Sequence, residues 1–144
     1  MFSRMDHVAI SVQDMDKVVA FYRDIIGMEK VFDREFDVKM AQLIGVPGAR
    51  VRIVHMKLNN SVIELFDYHY PVGRPPRPDA QQSDYGMIHI GFIVEDFHAT
   101  YQRLVEKGVR FLAEPVEIRP GVWVAYFHGA EHEICEMREI KPVQ

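Results

Sequence analysis

The chain has 144 residues, 48% of them hydrophobic and 26% charged, the balance of an ordinary globular domain. Its net charge of −4 offers no basic surface for nucleic acid or an anionic membrane, and no apolar run is long enough to span a bilayer. The first six residues lack the apolar core of a signal peptide, and the one cysteine, Cys135, excludes an intramolecular disulfide and a cysteine-rich zinc site. These features lead us to expect a cytoplasmic protein with a small-molecule partner, and no nucleic acid or membrane.

In chain order, the first element is MDHVAISVQD, Met5 to Asp14. Val8, Ile10 and Val12 alternate as an apolar row, which places His7, Ala9 and Ser11 on the opposite face of a strand. Asp14 is a candidate N-cap, followed at helical spacing by Val18, Phe21, Tyr22 and Ile25, with Gly27 as the stop. Met28 to Phe32 reads as the strand leaving that helix. Asp33 to Arg50 is additional material with a short helix expected over Val38 to Ile44 and a turn at GVPGA. Val51 to Leu58 is the next strand, joined through Asn59, Asn60 and Ser61 to Val62–Asp67, VIELFD, as a hairpin. Pro71 to Gly86 is a linker whose four prolines block regular ladder pairing; its Arg74 and Arg77 are either solvated or turned toward an anionic substrate.

Met87 to Asp96, MIHIGFIVED, then repeats the opening. His89 precedes Gly91 by two positions as His7 precedes Ala9, and Asp96 stands where Asp14 stood. Phe97, Thr100, Tyr101, Leu104 and Val105 form the helix, with Gly108 as its stop. His7 to Gly27 spans 20 positions and His89 to Gly108 spans 19. Val109 to Leu112 and Val122 to Phe127 are the following strands, and Ile134–Glu139, ICEMRE, matches VIELFD. The chain is therefore an internal duplication. A first module covers 1–70, a linker 71–86 and a second module 87–144, and each half is too small to bury much surface alone.

Each module carries one histidine at its first strand and one glutamate, Glu64 or Glu136, on its last. A carboxylate among apolar strand neighbours is costly unless it is paired, hydrogen-bonded or bound to a cation. Two histidines and two glutamates would answer one another through a metal. His55, His69, His98, His128 and His132 fall outside the repeat and are expected to be structural or exposed. Trp123 is read as core, Arg52 and Arg119 as surface cations, and Cys135 as a small packed side chain facing away from Glu136.

DHVAISVQD with DKVVAFYRDIIGME, VIELFDY, IHIGFIVED and GAEHEICEM together resemble the vicinal oxygen chelate superfamily, which includes glyoxalase I and methylmalonyl-CoA epimerase. The resemblance spans nearly the whole chain. It implies an α+β fold of two tandem βαβββ modules forming an open-fronted, eight-stranded mixed β-barrel, the glyoxalase/bleomycin resistance fold. It also implies a divalent metal (zinc, nickel, cobalt, manganese or iron) held by His7, Glu64, His89 and Glu136, and a homodimer. Glu64 resembles glyoxalase I where the CoA epimerases usually present glutamine, and GAEH at Gly129 to His132 departs from the loop often read as DPDG. An open metal of this kind polarises a carbonyl while a glutamate, Glu136 first and Glu64 second, acts as base. The implied activity is a metal-dependent lyase or isomerase of glyoxalase type. The alternatives are an acyl-CoA or sugar-type epimerase, an extradiol-type dioxygenase or a non-catalytic antibiotic-binding protein of the same fold.

Overall fold

The computed structural model describes residues 1–140. Two compact units, Met1–Pro75 and Pro76–Gln144, divide the chain. Among the described residues no helix is long and apolar enough to cross a membrane.

The first unit contains β1 (Val8–Ser11), α1 (Met15–Phe21) running into a π turn over Tyr22–Ile26, β2 (Glu29–Phe36), α2 (Val38–Ile44), β3 (Arg50–Leu58) and β4 (Ser61–Tyr70). Its sheet has the order β1-β4-β3-β2, with β1 parallel to β4 and the other pairs antiparallel. Asp14 caps α1 by accepting the Lys17 amide at 3.0 Å, and Gly27, at φ 88°, ends the π turn in a left-handed conformation. One sheet face, carrying the fully buried Val54, Met56 and Leu65, closes against α1 and its Val18. Arg52 ties the rim of that face together: it makes two 2.9 Å bonds to Asp33 on β2 and one of 3.3 Å to Asp16 on α1. Its guanidinium holds the Asp33 carboxyl well below the usual carboxylate range. Arg52, expected as a surface cation, is instead a half-buried structural one.

The opposite face of this sheet is divided. α2 covers one end, where Met40, Ala49, Val51 and Ile53 form a buried cluster with Phe36, Phe66 and Tyr68 packed against it. The other end presents Ala9, Glu64 and His55 in register, with Phe32 stacked on the His55 ring at 4.4 Å.

The second unit repeats the plan with β5 (Ile90–Ile93), α3 (Phe97–Glu106), β6 (Val116–Arg119), β7 (Val122–His128) and β8 (Ile134–Ile140), ordered β5-β8-β7-β6. β5 is parallel to β8, and Asp96 caps α3 through the Ala99 amide at 3.0 Å. Buried Ala125, Phe127, Cys135 and Met137 mark the face covered by α3, where Trp123 meets Phe97 and His98. Cys135 is fully buried there, as expected. The strand expected over Val109 to Leu112 is shorter than its sequence suggests. Phe111 bridges Phe127 with bonds from Leu112 N to Tyr126 O and from His128 N to Arg110 O, both 2.9 Å. Pairing then stops short of Pro115, which has no amide to donate, and resumes as β6.

Candidate functional site

β1 and β4 run parallel with Ala9 beside Glu64, which brings the histidine two residues earlier onto the same glutamate. His7 Nε2 lies 3.2 Å from Glu64 Oε2. The second unit reproduces this arrangement: Gly91 lies beside Glu136, and His89 Nε2 is 3.0 Å from Glu136 Oε2. Both glutamates are mostly shielded, with side-chain exposures of 16% and 12%, so their charge needs partners. The small residues Ala9 and Gly91 leave room beside each carboxylate. Each pair forms within its own unit.

The antiparallel neighbour of each glutamate supplies a further group. Opposite Glu64 stands His55, whose Nε2 is 2.9 Å from Oε1, so Glu64 has an imidazole on each oxygen. Opposite Glu136, on the neighbouring antiparallel strand, stands Tyr126. Burial, and then the Glu136 charge, push the Tyr126 phenol above its ordinary value, so it remains an O–H donor at neutral pH. His89 lies at 5.0 Å from the Tyr126 ring. The two pseudo-equivalent centres therefore differ in one cross-strand residue, imidazole in one and phenol in the other.

Fit to a divalent ion can be judged from the donors. Imidazole nitrogen and carboxylate oxygen suit zinc and its first-row neighbours. His7 turns Nδ1 to Asp6 Oδ2 at 3.1 Å, the outer carboxylate that commonly orients a metal-binding imidazole, and so aims Nε2 at Glu64. His89 presents Nε2 in the same sense, while its Nδ1 is buried without a partner. The residues fit the group, although among the described residues no three such side chains converge on one ion position.

The chain is similar along most of its length to known proteins. Residues 4–133 match the model of the glyoxalase/bleomycin resistance protein/dioxygenase superfamily. The chain belongs to this superfamily. The ethylmalonyl-CoA/methylmalonyl-CoA epimerase of Cereibacter sphaeroides is 31% identical over 94% of this chain and 95% of its own length. The mitochondrial methylmalonyl-CoA epimerase of Homo sapiens is 32% identical over 80% of this chain, which spans only about 60% of that relative. A glyoxalase family protein of Bacillus cereus has the same fold, with a TM-score of 0.87 at 24% identity over 96% of this chain and 95% of the other.

Within this superfamily fold the remaining sequence candidates separate clearly. His69 is paired with Glu35 at 2.9 Å, His98 packs on Trp123, and Arg77 is held inside the linker by Asp84 at 3.2 Å. His128 is half-buried at the end of β7, and burial followed by the Arg110 charge lowers its pKa. His55 is the residue that reading along single strands missed. A recess of about 510 Å³ beside α2, lined by residues including Asp37, Ala41, Pro47 and Arg50, contains none of the four ligand candidates.

Proposed function

We propose that this chain is a divalent-metal-dependent enzyme that takes a proton from the carbon beside a carbonyl and returns it, and that it acts as an epimerase of a 2-substituted acyl thioester. The observation that carries this reading is the repeated pair, His7 with Glu64 and His89 with Glu136, each on the face of its sheet opposite the helix-packed core. The epimerase relatives support the choice within the reaction class. His7, Glu64, His89 and Glu136 would hold the ion, which supplies Lewis acidity that draws charge from the carbonyl.

The remaining chemistry belongs to the side chains. Glu136 accepts the proton, and the electron pair of the broken C–H bond moves into the carbonyl, so nothing is oxidised or reduced. For inversion Glu64 would enter the cycle protonated and give its proton to the other face, and proton exchange with water would then reset both carboxyl groups. Tyr126, directly across the sheet from Glu136, would limit rotation of its carboxylate. His55 does the same for Glu64. A glyoxalase-type isomerisation, with the proton returned to the adjacent carbon, is the second reading and is favoured by Glu64 itself.

Methylmalonyl-CoA incubated in D2O with the protein and each of zinc, nickel, cobalt, manganese and iron tests both. Loss of the C2 proton signal in NMR is expected with at least one ion, and Glu136→Gln should slow it by about 10²–10⁴-fold. Exchange of a 2-oxoaldehyde hemithioacetal alone would move the assignment to the glyoxalase reaction. No exchange of either substrate with any ion would refute both.

A further inference from the structure

We propose that Arg138 binds an anionic group of the substrate, the paired oxygens of a carboxylate or a phosphoryl group, beside Glu136. This rests on Glu136 belonging to the reactive site, as proposed above, and adds the charge of what the site accepts. β8 alternates cleanly: Cys135, Met137 and Glu139 are buried on the α3 side, whereas Glu136 and Arg138 share the other face. Across the sheet Arg138 lies between Ile93 and Val124, and Val116 follows Val124, so its row is otherwise apolar. Ile93 and Val116 are 65% and 55% exposed, which leaves this end of the face open.

A cation in such a row needs an acceptor. Among the described residues no carboxylate lies within ion-pair distance of Arg138, and its Nε is buried with no hydrogen-bond partner. An unsatisfied buried donor on a charged group is destabilising, and the planar guanidinium edge matches two oxygens on one atom. Residues two apart on a strand are about 7 Å apart, so the anion is a group the substrate carries a few bonds from the reacting carbon.

The duplication supplies an internal comparison. The position matching Arg138 is Phe66, two residues after Glu64, and it packs against the cluster around Met40 on α2. The second unit has no helix between its second and third strands, β6 and β7. The same place in the repeat is thus filled and apolar in one unit, open and cationic in the other.

The test is calorimetric titration of the protein, as purified and loaded with Co²⁺, with succinate, inorganic phosphate and the neutral succinamide. Succinate or phosphate should bind the wild type and succinamide should not, and the preferred anion tells carboxylate from phosphoryl. Arg138→Met should weaken that binding at least tenfold with unchanged Co²⁺ affinity and visible spectrum, and Arg138→Lys should retain part of it. Equal anion affinity in wild type and Arg138→Met, or no anion binding to the wild type, would overturn the proposal. An anion that alters the Co²⁺ spectrum equally in both is bound at the metal and overturns it too. If Co²⁺ is not taken up, the metal reading fails, and titration of the metal-free protein still decides Arg138.

Discussion

Glu64 is shared by two imidazoles where reading the strands one at a time offers one. The second was within reach of the sequence. A two-residue turn at Asn59 and Asn60 sets Leu58 opposite Ser61, and counting back along the hairpin sets His55 opposite Glu64. Tyr126 was not legible in this way, because a longer loop, Gly129 to Glu133, separates it from Glu136 and its register depends on how that loop closes. His7, His89, Glu64 and Glu136 were legible because the duplication repeats them. Of the histidines outside the repeat, His128 gives a prediction with a definite sign. Burial and Arg110 depress its folded pKa, so the native state holds a neutral ring while the unfolded chain takes up a proton near pH 6.5. Its contribution is therefore present above about pH 6.5 and is lost as pH falls from there toward the folded pKa. The urea midpoint of the wild type should drop more steeply between pH 7.5 and 5.5 than that of His128→Gln. Parallel profiles would show that His128 does not titrate differently in the two states.

Among the elements, those with strong local signals lie where their residues put them. Both aspartate caps hold, and α2 spans Val38–Ile44 as its sequence implies. The strand after α3 is shorter than the β propensity of Val109 to Leu112 suggests, because Pro115 interrupts the pairing before β6. The loop GAEHE between β7 and β8 shows what replaces the more usual turn. Glu133 folds back and accepts the amides of Ala130 at 2.8 Å and Glu131 at 3.2 Å, and its side chain lies directly over Gly129. A Cβ at position 129 would overlap the Glu133 carboxylate, so Gly129→Ala should displace that cap and cost about 1–3 kcal/mol. Denaturant unfolding of Gly129→Ala in the wild-type and Glu133→Ala backgrounds separates the overlap from other effects. The alanine should cost clearly less where Glu133 is already removed. An equal cost in both backgrounds would place the strain elsewhere in the loop.

At the scale of the molecule, the duplication yields two half-sites of unequal surroundings. Asp6 precedes His7 where Ile88 precedes His89, His55 answers Glu64 where Tyr126 answers Glu136, and Phe66 stands where Arg138 stands. Gene duplication makes two equal pairs by default, so the surroundings of the two pairs have diverged since. It also bears on metal stoichiometry. A histidine and a carboxylate alone fall short of the three protein ligands typical of a catalytic ion, so two independent two-ligand sites would be weak. One tightly held ion per chain is therefore expected, measured by inductively coupled plasma mass spectrometry after removal of loose metal. Either His7→Ala or His89→Ala alone should then weaken it by about 100-fold or more, beyond the loss usual for an outer-shell change. With metal removed, each variant should keep the unfolding transition of the metal-free wild type, because His7 is exposed and both histidines precede the strands rather than fill the core. Two ions per chain, one surviving in each variant, would mean that the pairs act separately. The four-ligand centre would then give way to two distinct sites.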